Sequence, residues 1–123
     1  MKVVQTDASP AAIGPYSQAF ISGNFVFTSG QIPLDPKTGE VAGGDIGGQT
    51  GQAIANLGAV LEAAGSSLGK VIKTTCFLAD MNDFARFNEV YAKHFPGKPA
   101  RSTIAVRQLP KNVLVEIEAV AEL

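Results

Sequence analysis

Few residues of this chain could do chemistry, and the commonest arrangements are missing. A catalytic zinc takes about three protein ligands, while the chain has one histidine, His94, and one cysteine, Cys76, so no metal site is expected. Cys76 lies in a β-branched run without a local activating partner and reads as a small buried side chain. His94 closes a helical stretch, where a cation suits the helix dipole. Gly65-Ser66-Ser67-Leu68-Gly69-Lys70-Val71 has too few residues between its glycines for a phosphate loop and no Ser or Thr after the lysine. The glycines between 43 and 51 accept no G-x-G-x-x-G frame. What remains is a polar set in apolar surroundings: Tyr16, Ser29, Asn88, Arg101, Glu116 and Glu118. Two readings of it stand side by side. In one it is structural, with Asn88 tying down a loop backbone and Arg101 as the ion-pair partner of solvated Glu116 and Glu118 across neighbouring strands. In the other it is a site, which such ion-pair networks imitate.

The elements that must position these residues are legible from periodicity. Phe20, Ile21, Phe25, Val26 and Phe27 flank Gly23-Asn24 and read as a β-hairpin. Residues 31–51, with their prolines and glycines, read as loop running into a helix. Ile46, Ala53, Ile54, Leu57, Val60, Leu61 and Ala64 recur at helical spacing, with Asp45 as cap and Gly65 as stop, predicting a helix over 46–64. Residues 71–78 are a β-branched strand. A second helix presents Phe84, Phe87, Tyr91 and Phe95 on one side and is stopped by Pro96-Gly97. Two strands follow, over 101–107 and 113–123. In the last, Val113, Val115, Ile117, Ala119 and Ala121 form an apolar face, while Leu114, Glu116, Glu118 and Val120 point the other way. In 101–107 the same logic assigns Ser102, Ile104 and Val106 to the core, and Arg101, Thr103, Ala105 and Arg107 to the opposite face. The fold class expected from this order is α+β, with both helices on one face of the sheet, as a single domain over residues 1–123. The half-apolar far face calls for a partner, and a second copy of the chain fits it.

Composition narrows the function classes. A chain of 123 residues with 46% apolar side chains buries enough surface for one core. Ten basic against eleven acidic residues give a formal charge of -1, which offers nothing to hold a phosphate backbone or a membrane surface. Nucleic acid and membrane partners are therefore not expected. The lone cysteine and the absence of a signal-like start point to a reducing cytoplasm. Only 17% of residues are charged, against about 25% in an average domain, which again suits an oligomer.

Ala12-Ile13-Gly14-Pro15-Tyr16-Ser17-Gln18-Ala19, Thr28-Ser29-Gly30-Gln31-Ile32-Pro33, Pro99-Ala100-Arg101-Ser102, Leu109-Pro110 and Val115-Glu116-Ile117-Glu118-Ala119 together resemble the Rid (YjgF-like) family, in particular its archetypal RidA branch. The likeness spans nearly the whole chain. It implies a fold similar to Bacillus-type chorismate mutase, a six-stranded mixed sheet with two helices on one face, and a homotrimer whose sites lie between subunits. It also implies hydrolysis of 2-iminobutanoate or 2-iminopropanoate to the 2-oxo acid and ammonia, with no cofactor. By the same resemblance Arg101 binds the substrate carboxylate, Glu116 activates water, Tyr16 borders the pocket, and Gly30 N–H and the carbonyl of Thr103 orient substrate or water. Phe87 and Asn88 are further lining residues. Many members carry Cys where this chain has Thr103; a backbone contact tolerates the change. A reading from another class is a non-catalytic regulatory or metabolite-binding trimer that senses 2-oxo acids. Retention of both Arg101 and Glu116 favours the enzyme, because a carboxylate sensor needs only the first.

Overall fold

The computed structural model describes residues 1–123 and contains one six-stranded sheet and two α-helices. In chain order these are β1 (Lys2–Val4), β2 (Ala19–Ser22), β3 (Phe25–Thr28), α1 (Ile46–Ala63), β4 (Val71–Leu78), α2 (Phe84–His94), β5 (Ala100–Ala105) and β6 (Val115–Glu122). The strands lie in the order β1-β2-β3-β6-β4-β5. β4 and β5 are parallel and every other pair is antiparallel. The mixed α+β sheet expected from the sequence is what the chain forms. Periodicity does not place β1: three residues carry no readable period, and pairing with β2 makes the strand.

Local chemistry sets the boundaries. Gly23 takes φ +57° in the β2–β3 turn, a conformation that favours glycine. The Asp45 side chain accepts the Gly48 N–H at 2.8 Å and starts α1, and Gly65 at φ +89° follows its end. Between β5 and β6 the chain turns through Lys111 and Asn112, both at φ +54°.

β6 is the spine of the core. Its Val115, Ile117, Ala119 and Ala121, with Cys76 and Leu78 of β4, lie under Ala53, Ile54, Leu57, Val60 and Leu61 of α1 and Phe87, Tyr91 and Phe95 of α2. The opposite face has no helix. There Phe20, Phe27, Val120 and Ile104 stand beside Glu116 and Glu118, with Phe27 47% and Ile104 49% exposed. No helix is long and apolar enough to cross a membrane.

The faces of β5 are the reverse of those expected. Thr74 and Cys76 are buried on the helix side, and their register partners are Arg101 and Thr103. Phe77 points the other way and is paired with Ile104. Arg101 and Thr103 therefore face α2, while Ser102 and Ile104 lie on the open face. Apolar phase identifies the core only when the other face is wet, and here the other face is itself apolar.

The orientation of β5 is directly testable. Ile104→Lys should keep the native far-UV circular dichroism of the chain, even where it weakens association through the open face, since the new charge lies outside the core. Ile117→Lys, which places a charge among fully buried side chains, should abolish it. An unfolded Ile104→Lys chain would overturn the assignment.

Candidate active site

Two groups of polar side chains meet apolar walls, one on each face of the sheet. The first is built on the α2 side. Helical spacing brings Phe84, Phe87, Asn88 and Tyr91 over the start of β5, where the Arg101 guanidinium carbon lies 5.5, 5.8 and 4.8 Å from the ring centroids of Phe84, Phe87 and Tyr91. A cation over aromatic faces is held by their quadrupoles. Arg101 Nη1 also donates to Asn88 Oδ1 at 2.8 Å, which fixes the plane of the fork. Asn88 thus orients the arginine and does not serve as a loop tether. Behind it the Tyr91 and Thr74 hydroxyls share a 2.7 Å hydrogen bond, and burial pushes the Tyr91 phenol above its ordinary value, keeping it neutral. A cavity of about 470 Å³ opens beside the guanidinium, lined by Asn88, Tyr91, Ala92, Phe95, Lys98 and Arg101 among others.

Arg101 has no acidic partner. The single ion pair in the chain is Arg86–Glu89 at 2.9 Å on the surface of α2. The expected pairing of Arg101 with Glu116 and Glu118 across neighbouring strands does not form, because β5 pairs with β4 and not with β6. Thr103, two residues on, is in register with Cys76 and turns its hydroxyl into the buried layer. Burial pushes the Cys76 thiol up to about 11, so no thiolate is present at neutral pH.

The second group lies on the open face around Glu116. Its carboxyl group rests on Gly30: a β-carbon there would stand 2.7 Å from Glu116 Cδ and 3.0 Å from Cγ. A side chain at this position would displace the Glu116 carboxyl group, so glycine is what lets it rest there. Next to it Gln31 N–H donates to Ile117 O at 2.8 Å and Ile117 N–H to Gln31 O at 3.0 Å, which locks the Gly30 turn onto β6. Burial first, and the negative charge of Glu118 second, push the Glu116 carboxyl group above its ordinary value. Tyr16 and Gly30 line a cavity of about 380 Å³ together with Gln31, Ile32, Pro110 and Lys111. The Tyr16 hydroxyl accepts the Ile13 N–H at 3.3 Å, leaving its own proton free to donate outward. Ser29 is spent on structure, donating to Ser17 O at 2.6 Å.

The structure therefore joins Arg101 with Asn88 and Phe87, and Glu116 with Gly30, while Tyr16 shares a cavity with Gly30. It does not join the two groups. Arg101 is in register with Thr74 and Glu116 with Phe77, residues of β4 that point to opposite faces. Sequence reasoning missed Gln18 and Gln31, both buried and both hydrogen-bonded through their side chains; isolated glutamines carry no periodic signal.

The family described as Endoribonuclease L-PSP matches residues 6–123. A RutC family protein of Pyrococcus horikoshii is 59% identical over 121 residues, covering 98% of this chain and 96% of its own length. The 2-iminobutanoate/2-iminopropanoate deaminase of Escherichia coli K12 is 48% identical over 124 residues, covering 98% and 96%. The crystal structure of Escherichia coli TdcF with bound serine superposes with a TM-score of 0.95 at 46% identity, covering 100% of this chain and 99% of that one.

The raised Glu116 value has a consequence for stability. A carboxyl group that is more basic folded than unfolded stabilises the fold below its unfolded value, near 4.3, and that contribution is lost as pH rises through the folded value. At about pH 7 the ionised group is a burden. Glu116→Gln should therefore raise Tm at about pH 7, and the gain should vanish as pH falls below about 4. A gain independent of pH would mean that packing, not charge, is responsible.

Proposed function

The chain belongs to the Rid (YjgF-like) family, described as Endoribonuclease L-PSP, and from that premise we propose that it hydrolyses reactive 2-imino acids such as 2-iminobutanoate and 2-iminopropanoate to 2-oxo acids and ammonia. One observation carries the reading: a guanidinium fork held in plane by Asn88 and a desolvated carboxyl group resting on Gly30, each without an ion-pair partner. The first fits a planar carboxylate through two parallel hydrogen bonds. The second fits a general base.

In this mechanism Arg101 binds the carboxylate of a protonated 2-imino acid, and Glu116 removes a proton from a water that attacks C2. The new C–O bond turns C2 tetrahedral. Glu116 returns that proton to the nitrogen, the C–N bond breaks to release ammonia, and the hydroxyl proton passes to the Glu116 carboxylate and on to ammonia, leaving the C=O of the 2-oxo acid and ammonium. Tyr16, with a free O–H, donates to the substrate oxygen or nitrogen. The Gly30 N–H and the main chain of Thr103 orient the reactants. Because Arg101 and Glu116 leave opposite sheet faces, the working site joins the Arg101 group of one chain to the Glu116 group of a neighbour. A homotrimer built on the exposed Phe20, Phe27 and Ile104 face does this and covers that face. The deciding experiment generates 2-iminobutanoate in situ with a dehydratase and asks whether the protein releases 2-oxobutanoate faster than buffer. Binding of 2-oxobutanoate without acceleration would mark a metabolite sensor instead.

Glu116→Gln should slow kcat by about 10²–10⁴-fold, the usual worth of a general base, while keeping affinity for 2-oxobutanoate. Glu118→Gln should keep most activity; if it were the dead variant, the roles of the two acids would be exchanged. Arg101→Lys should lose most kcat/KM because a point charge replaces a fork. In the wild type, the acid limb of kcat/KM against pH should lie above about 4.3, the ordinary glutamate value, and should be absent from the residual rate of Glu116→Gln.

A further inference from the structure

Residues 5–18 connect β1 to β2 without regular structure, yet they carry Tyr16 and wall two cavities. A segment of this kind is mobile unless something fastens it. The fastener is a buried amide. Gln18, 4% exposed, accepts the Thr6 N–H at 2.7 Å through Oε1 and donates from Nε2 to Thr6 O at 3.0 Å and Pro10 O at 2.8 Å. The β1–β2 ladder ends at Val4↔Ala19. Beyond it the side-chain amide of Gln18 engages both main-chain groups of Thr6, as a backbone peptide of the next rung would.

A second amide ties the same loop to the Glu116 strand. Ser9, buried, donates to Gln31 Oε1 at 2.9 Å, and Gln31 is bonded through its own main chain to Ile117. The Gln18 carbonyl in turn accepts the Ser29 N–H at 2.9 Å. These bonds close a circuit from Thr6 through Gln18 and Ser29 to Gly30, and from Ser9 through Gln31 back to β6. Tyr16 is two residues from one amide, Gly30 is adjacent to the other, and Glu116 adjoins Ile117.

We propose that Gln18 is a positioning residue: its side-chain amide holds the loop that presents Tyr16 in register with the Gly30–Glu116 contact, assisted by Gln31. The reaction it serves is the imine hydrolysis proposed above, so this inference rests on that reading for its kinetic arm. Burial explains the residue type. A carboxylate in place of the amide would face the Thr6 and Pro10 carbonyl oxygens, and an apolar side chain would leave three main-chain groups unpaired.

The test is Gln18→Met, equal in length and without polar atoms. Hydrogen exchange should show lost protection at the Thr6 amide and throughout residues 5–17, with the Ile117 amide unchanged. The variant's kcat should fall about 10- to 100-fold with a smaller change in KM, as expected when a reacting group is displaced. The double variant with Tyr16→Phe should lose no more than the worse single variant, since both act through one hydroxyl. Unchanged loop exchange, or losses that multiply in the double variant, would overturn the proposal. Should Gln18→Met fail to fold, Gln18→Glu serves: its rate relative to wild type should climb as pH falls and the carboxyl group regains a donor, and a flat ratio counts against the proposal. A wild type that does not accelerate imine hydrolysis sinks the deaminase reading alone; the exchange arm then decides the role of Gln18 by itself.

Discussion

The parity of the pleat governs this protein. Thr74 and Phe77 are an odd number of residues apart on β4, so their side chains leave opposite faces, and register carries that parity outward to Arg101 on one neighbour and Glu116 on the other. No rotamer change brings a side chain through a sheet. Everything around the two residues follows from this placement. The aromatic side of α2 serves the arginine, the Gly30 turn serves the glutamate, and the sheet between them is closed by β6, whose inward residues are the fully buried Val115, Ile117 and Ala121.

Separation is also what leaves each group chemically useful. Paired with each other, the guanidinium would hold the carboxylate ionised and poorly basic, and the carboxylate would occupy the fork that the proposed substrate would use. Apart, Arg101 is steadied by three ring faces and a neutral amide, none of which quenches its charge. Glu116 is made more basic by burial and by Glu118, with no cation to offset either. Both arrangements cost stability in a single chain: a partly buried acid near a like charge, and an apolar sheet face left open to water. The association of chains proposed above would offset the second cost and bring the two groups together.

The elements most legible in the sequence were those with one wet and one dry side. β6 and α1 alternate so plainly that their inward residues, from Val115 to Ala121 and from Ala53 to Leu61, are the core. The hairpin turn at Gly23 and the cap at Asp45 follow from single residues with one dominant conformational use. β5 was misread for the opposite reason. Ile104 and Ser102 share a face with Phe77 and Thr75, and an apolar face awaiting a partner looks like a core to any hydrophobicity argument. The residues of the candidate site are named by motif resemblance, but their division between two sheet faces is not legible in the sequence. Division depends on register between strands far apart in sequence.

The buried amides were invisible for a further reason, and they explain how a chain with so little charge keeps its loops in place. Gln49 Oε1 accepts the Leu114 N–H at 2.8 Å, and Asn56 Nδ2 donates to Ile32 O and Leu34 O at 3.0 and 2.9 Å. With Gln18 and Gln31 they pin the irregular segments to the helix and the sheet. An amide can give and receive hydrogen bonds without the desolvation penalty of an ion. A charged tether in the same position would spread its field over Glu116 and shift its protonation further. Neutral fasteners leave the Glu116 carboxyl group to be set by burial and Glu118 alone. The low charge content of the chain is thus a condition of its site as well as of its apolar face.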